Sequence, residues 1–184
     1  MARLIDSYSE SNQDASELVN SEGEIRVGQS FTNSITGILD SAKFYLKRGG
    51  SGGLPTGNAT VTIYAETHAT AYGTDSLPTG SILATSATFD VSTLTTSYQL
   101  ITFNFVGAQR ISLNASTYYC VIFNYSGGDS TNYVAVGGDD SSPTASGNNI
   151  WYNVVNDWKY RNTRDTCFYV YGADITTGNM FQLF

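Results

Sequence analysis

The segment 98–125 constrains the fold more than any other part of the chain. It begins Tyr-Gln-Leu-Ile-Thr-Phe-Asn-Phe-Val and ends Tyr-Tyr-Cys-Val-Ile-Phe-Asn-Tyr, and no proline interrupts either run. Runs rich in β-branched and aromatic residues are typical of buried β-strands. Alternation along a strand places one apolar set of each run on a single face. These sets are Ile101, Phe103 and Phe105 in the first run, and Tyr119, Val121, Phe123 and Tyr125 in the second. The segment therefore predicts two adjacent strands at the centre of the core.

The rest of the chain alternates short strand-like segments with turns rich in Gly, Asn, Asp and Pro, and no segment has a sustained helical period. This pattern predicts an all-β fold, an antiparallel β-sandwich of jelly-roll type with little or no helix. Segments 150–155 and 158–160 form a predicted hairpin across Asn156-Asp157, a favourable turn pair.

We divide the chain into three parts. Residues 1–24 are a polar, acidic N-terminal arm with a predicted edge strand near 4–8, and residues 25–172 are the jelly-roll β-sandwich. Residues 173–184 are a C-terminal tail. Its exposed apolar side chains would be unfavourable in water, so we expect the tail to dock on a partner, with folding back onto the sandwich as the alternative. The docking candidates are Met180, Phe181, Leu183 and Phe184.

Composition and charge exclude several classes of partner. The net charge is −7 and only nine residues are Lys or Arg, so we expect no nucleic-acid binding, because phosphate backbones require a basic surface. No apolar run approaches the ~20 residues that span a bilayer, and none follows the first Met, so we expect no membrane partner and no signal peptide. Charged residues make up 14% of the chain against about 25% in typical soluble domains, which favours an extracellular or particle-exposed protein.

Motifs for catalysis and cofactors are weak, so we predict no enzymatic activity and no cofactor. The single histidine, His68, lies in a predicted surface loop, and the Gly-x-Ser-x-Gly match at 49–53 has no following helix to form a nucleophile elbow. No glutamate lies at a predicted strand centre beside aromatic residues, as a glycosidase pair would require. Asp139 and Asp140 are weak calcium candidates, and a hydrated acidic loop is the simpler interpretation.

The two cysteines, Cys120 and Cys167, fit no zinc spacing. A disulfide between them would require neighbouring strands with converging side chains, and we interpret them instead as two small buried apolar residues.

The richest aromatic group lies in the predicted hairpin. It contains both tryptophans of the chain and comprises Trp151, Tyr152, Trp158 and Tyr160. Exposed aromatic rings stack on flat sugar faces, so these four residues are the candidate glycan-binding site. The alternative is that the tryptophans are cross-strand core residues.

Several phrases in order resemble a known class of module. They are Val-Gly-Gln-Ser-Phe-Thr at 27–32, Ala-Lys-Phe-Tyr-Leu at 42–46, Pro-Thr-Gly-Asn-Ala-Thr-Val-Thr-Ile-Tyr at 55–64 and Pro-Thr-Gly-Ser-Ile-Leu-Ala-Thr-Ser at 78–86. With the approach to the second central strand at 113–119, this order resembles the jelly-roll modules of phage and metagenomic virion proteins. It is also similar to the choice-of-anchor modules of bacterial surface proteins.

The resemblance implies a role and a location. It implies a non-enzymatic structural or binding protein on the surface of a phage particle, such as a capsid decoration or a tail-fibre component. Expected partners are further copies of the chain, other virion proteins and a cell-surface glycan. The alternative is a carbohydrate-binding module of a secreted or surface-attached bacterial system.

Overall fold

The computed structural model describes residues 2–155 and 157–173. Strands make up 57% of the structure and helical turns 5%, which confirms the predicted all-β fold. The short 3-10 turns are Glu10–Asn12, Val91–Thr93 and Gly107–Gln109. The strands are β1 (Ala2–Tyr8), β2 (Ala15–Val19), β3 (Glu24–Asn33), β4 (Gly37–Gly49), β5 (Asn58–Thr67), β6 (Leu77–Thr85), β7 (Phe89–Asp90), β8 (Gln99–Asn104), β9 (Ser112–Leu113), β10 (Thr117–Asn124), β11 (Tyr133–Asp139), β12 (Asn149–Asn153), β13 (Trp158–Arg161), β14 (Asp165–Thr166) and β15 (Phe168–Ala173).

The strands form two layers that face each other across one core. The first layer runs β6–β5–β10–β3 and continues into β12 and β13. The second runs β1–β15–β4–β11–β2, with β8 and β9 also paired to β4. A single parallel pair, Val19 with Glu24, links the two layers, and the other strand pairings are antiparallel. This arrangement is consistent with a β-sandwich, and the jelly-roll strand order stays a prediction.

Aromatic rings from the two layers meet in the centre of the core. Phe123 of β10 lies 5.9 Å from Phe103 of β8 and 6.0 Å from Phe44 of β4, measured between ring centroids. Phe31 of β3 similarly lies 6.3 Å from Phe168 of β15. Each pair joins strands that share no ladder, so side-chain packing is what holds the layers together.

The two central strands are not neighbours in a sheet, contrary to the prediction from the sequence. β8 pairs with β4, whereas β10 lies between β3 and β5. The predicted inward faces are nevertheless correct, because Phe103, Phe105, Tyr119, Val121, Phe123 and Tyr125 are buried and Ile101 is partly buried against the same core. An apolar face indicates that a strand is buried but not which strand it pairs with. The sequence pattern therefore could not show that these two strands meet face to face instead of edge to edge.

The chain ends are placed only in part. β1 pairs with β15 and β2 pairs with β11, so residues 2–19 are built into the second layer, and Ile5, Tyr8 and Val19 lie in the main core. The docking candidates Met180, Phe181, Leu183 and Phe184 lie outside the described residues.

Both cysteines are free and buried, which confirms their interpretation as small apolar residues. Cys167 belongs to the main core, whereas Cys120 lies in a second cluster on the other face of the first layer. Burial raises the pKa of the Cys120 thiol well above its ordinary value. Burial disfavours the thiolate, which is the reactive form of cysteine, so we assign no reactive role to either buried cysteine.

Candidate functional site

The predicted hairpin is present and covers the outer face of the first layer. β12 pairs with β13 from Asn149–Arg161 to Tyr152–Trp158. Ile150 and Trp158 pack there on Tyr64, Cys120 and Ile122, which form a second apolar cluster. The aromatic group of the sequence is thus carried by a hairpin with its own small core.

The two tryptophans lie in different environments. Trp158 is half-buried, with its ring 4.7 Å from the Tyr152 ring and 5.8 Å from the Tyr64 ring. Trp151 packs against the main core, and the Arg161 guanidinium lies 4.9 Å above its ring. The structure therefore does not bring Trp151 and Trp158 together into one flat platform.

Tyr152 is engaged with a cation. The guanidinium of Arg26 lies 4.6 Å from the Tyr152 ring and 5.7 Å from the Trp158 ring. Such contacts contribute about 0.5–1 kcal/mol at exposed sites, and they fill the space in front of both rings. Among the four predicted residues, Tyr160 is the one whose side chain stands out, with 45% of its surface exposed.

Tyr160 lines an open recess of about 330 Å³ beside the hairpin. The other lining residues come from the end of β5, the loop after it and the start of β6, and they are Thr67, His68, Ala69, Asp75 and Leu77. We call this cavity the recess. Sequence reasoning placed His68 on the surface but did not connect it with Tyr160.

The loop at the recess is held by Asp75. Its carboxylate accepts hydrogen bonds from the backbone N–H groups of Thr70 at 2.8 Å and of Ala69 and Ala71 at 3.2 Å. Although desolvation opposes the shift, these bonds lower the pKa of Asp75. A side chain that binds three successive amides fixes the loop before any ligand arrives.

A second exposed ring adjoins the recess. Tyr118 of β10 is 39% exposed, and its ring lies edge-on to the His68 ring with centroids 6.0 Å apart. Tyr72 stacks on Tyr118 at 4.1 Å. On its other side, Nδ1 of His68 lies 3.0 Å from Oε1 of Glu66, whose side chain is almost fully buried. The imidazole is thereby held between the Glu66 carboxylate and the Tyr118 ring.

A larger recess, of about 410 Å³, lies between β1 and the loop at 144–147. Two of its polar lining groups are bonded to the protein: the Asp6 carboxylate accepts from the N–H groups of Ser7 and Thr32, and the Tyr8 hydroxyl donates to Asp139 at 2.6 Å. Its aromatic lining residues, Tyr8 and Phe168, are buried, so this cavity offers a sugar no exposed ring and is the weaker candidate.

The structure contains a carboxylate pair that sequence reasoning missed. Glu17 of β2 accepts hydrogen bonds from Arg161 at 2.5 Å and from Arg164 at 2.7 Å, and Glu24 of β3 accepts from Arg161 at 3.3 Å. Burial, followed by the negative charge of Glu17, raises the pKa of Glu24 to about 7. The proximity of the two glutamates could have been predicted from the sequence, because they flank the turn between β2 and β3. Their arginine partners come from distant segments and could not be foreseen.

The carboxylates of both calcium candidates already bind donor groups of the protein. Asp139 accepts from the Tyr8 hydroxyl and from the backbone N–H groups of Ser141 and Ser142, and Asp140 pairs with Arg164 at 2.6 Å. Within residues 2–155 and 157–173, no group of three or more His, Cys, Asp or Glu side chains is arranged to hold a metal ion.

The described ranges also contain no helix with the length and apolar character needed to cross a membrane. Comparison with known proteins gives no match: no family model fits the chain, and no curated protein or solved structure is significantly similar to it.

Proposed function

We propose that the chain is a non-enzymatic binding protein that recognises a glycan at the recess. The observation that carries this proposal is the exposed ring of Tyr160, which lines the recess together with His68, while the exposed ring of Tyr118 contacts His68. An exposed aromatic ring offers a flat apolar face to a sugar, and its hydroxyl remains available for hydrogen bonding. Concave sites that combine such rings with a few polar groups are typical ligand sites.

The polar groups of the recess suit a sugar. His68 and the Thr67 hydroxyl stand beside the ring of Tyr160, and both can exchange hydrogen bonds with sugar hydroxyls. Asp75 fixes the loop and Glu66 orients His68, so the loop and the imidazole are already ordered before a glycan binds. Such preorganisation lowers the entropic cost of association.

The carboxylate geometry supports a binding role over glycan hydrolysis. A glycosidase needs two carboxyl groups on either side of an accessible bond. Here Glu17 and Glu24 share Arg161, and Arg164 binds Glu17 as well, so the pair forms a closed ion network. Asp75 at the recess is held by backbone amides, which leaves it a structural role.

Tyr160→Ala is expected to weaken glycan binding at least about tenfold, which corresponds to the loss of about 1.4 kcal/mol of stacking. The measurement is a glycan array with the wild-type chain, followed by titration calorimetry with the strongest neutral glycan. Val155→Ala is the matched control, since Val155 is an exposed apolar residue in the turn of the same hairpin, outside the recess. Equal affinities for wild type and Tyr160→Ala, or no glycan bound by the wild type, contradict the proposal.

We also propose that the protein works on the surface of a phage particle, as one of several copies or beside other virion proteins. The resemblance of the strand and turn phrases to virion jelly-roll modules supports this location. A secreted or surface-attached bacterial module is the alternative. Immunogold electron microscopy of native particles from the source tests the location: label on intact particles is expected, and particles without label contradict it.

A further inference from the structure

The outer face of the second layer carries two lysines and four tyrosines. Lys43, Tyr45 and Lys47 of β4 alternate with the buried residues of that strand, so they lie on its outer face, and Tyr45 also packs in part against the main core. Tyr169 and Tyr171 of β15 alternate with buried residues in the same way, and Tyr98 immediately precedes β8. We call this surface the lysine–tyrosine face.

The rings of this face lie nearly parallel in two pairs. Tyr169 and Tyr171 have centroids 6.3 Å apart and planes 15° apart, and Tyr45 and Tyr98 have centroids 4.8 Å apart and planes 19° apart. The hydroxyl of Tyr98 is within 2.5 Å of the Ser16 hydroxyl, and that of Tyr169 donates to Glu10. These bonds fix the ring orientations, so the aromatic surface is preformed.

Each lysine lies over one of these rings. The Lys43 ammonium is 5.2 Å from the centroid of Tyr171, and the Lys47 ammonium is 4.5 Å from the centroid of Tyr98. In the part of the chain that the structure describes, neither ammonium lies within salt-bridge distance of a carboxylate. The two charges are positioned by the rings.

Two lysine charges held over rings in this way are unusual in an acidic protein. The chain has 16 acidic and nine basic residues. Several other cations are paired, namely Arg110 with Asp40, Lys159 with Asp157, and Arg161 and Arg164 with Glu17. Glu10, at the Tyr169 end, is the acidic group that reaches this face through a hydrogen bond. The face therefore carries two ammonium groups, with Glu10 at its Tyr169 end, in a chain of net charge −7.

We infer that the lysine–tyrosine face binds an acidic glycan, one that carries sulfate or carboxylate groups on its sugars. The ammonium groups match the anionic substituents of such a glycan, and the tyrosine rings hold the two ammonium groups in place. Lys43 and Lys47 are four residues apart on one strand, about 13 Å, so the two charges would meet different sugars of one extended chain. This site lies on the opposite layer from the recess and does not depend on the function proposed there.

Charge and composition favour this occupant over others. A nucleic acid requires many phosphate contacts, and two lysines in a chain of net charge −7 do not supply them. A second copy of the same chain brings the same net charge of −7, so the two copies repel each other overall. A glycan with anionic substituents brings negative charge and neutral sugar rings together, which suits a face built from lysines and tyrosines.

Dextran sulfate and uncharged dextran form a matched probe pair, since the polymers differ only in charge. We expect the full chain to bind dextran sulfate in biolayer interferometry and to bind dextran much more weakly. The double variant Lys43→Gln/Lys47→Gln should lose at least about tenfold in affinity for dextran sulfate, and wild-type binding should weaken in ~0.5 M salt. Tyr171→Ala should weaken dextran sulfate binding as well, because it removes the ring that positions the Lys43 ammonium.

Lys159→Gln is the control for net charge, because it removes the third lysine of the chain, which is paired with Asp157 on the other layer. It should retain wild-type affinity, and thermal unfolding should show that every variant is folded. The inference is overturned if the wild type does not bind dextran sulfate, if the double variant binds as well as wild type, or if Lys159→Gln weakens binding equally. Tyr160→Ala should leave this binding unchanged, which separates this test from that of the recess.

Discussion

Replacing Phe103 by alanine is expected to lower the free energy of unfolding by about 3–5 kcal/mol, the usual cost of truncating a buried phenylalanine. The Phe103 side chain is 1% exposed, and its ring contacts Phe89 and Phe123, each at 5.9 Å between centroids. Because Phe123 belongs to the first layer and Phe103 to the second, the cavity left by the substitution would open between the layers. Urea unfolding followed by tryptophan fluorescence measures the effect.

Leu100→Ala is the matched control on the same strand, since Leu100 is exposed on the outer face of β8. We expect this variant to change the free energy of unfolding by less than about 0.5 kcal/mol. A loss below about 1 kcal/mol for Phe103→Ala would show that the two layers do not pack as described.

Glu24→Gln is expected to stabilise the protein at pH 8 and to have little effect at pH 5. The pKa of Glu24 is raised from 4.5 to about 7 in the folded state. Between these two pH values the folded protein keeps a proton on Glu24 that the unfolded chain releases. Stability from this group is fully present below pH 4.5 and is lost as the pH rises through 7. Glutamine stays neutral at every pH and thus avoids the loss. After discounting for the partial exposure of Glu24, we expect a gain of about 1–2 kcal/mol at pH 8.

Urea unfolding of wild type and variant at pH 5 and pH 8 measures this difference. Glu22→Gln, in the exposed turn between the same strands, controls for the loss of one negative charge. If Glu24→Gln shifts stability equally at both values of pH, the carboxylate pair with Glu17 is not the cause.

Local patterns predicted the parts of the fold that depend on local physics. The alternation in 98–125 identified the buried faces of β8 and β10, and Asn156-Asp157 identified the hairpin of β12 and β13. The partner of β8 could not be read in the same way, because every inward face of a sandwich has the same apolar character. Pairing depends on the path of the whole chain, which the sequence pattern does not encode locally.

The candidate site, like the fold, could be predicted from the sequence only in part. The aromatic richness of the hairpin pointed to Tyr160, but not to the half-buried state of Trp158, which follows from its contact with Tyr64 on a distant strand. His68 lies at the recess because the β5–β6 loop lies beside the hairpin, and the sequence pattern does not show that the two are neighbours. Contacts of this kind join segments far apart in the chain, so they are set by the tertiary fold.

The central claim is that a glycan binds at the recess lined by Tyr160 and His68, beside the exposed ring of Tyr118. Chemical-shift mapping tests it most directly, with isotope-labelled full-length protein titrated with its strongest neutral glycan. We predict that the shifted backbone amides cluster at 67–77, at Tyr118 and at Tyr160, with the rest of the two layers unchanged. Saturable binding whose shifts cluster elsewhere, or no neutral glycan that shifts the recess at all, would contradict the account.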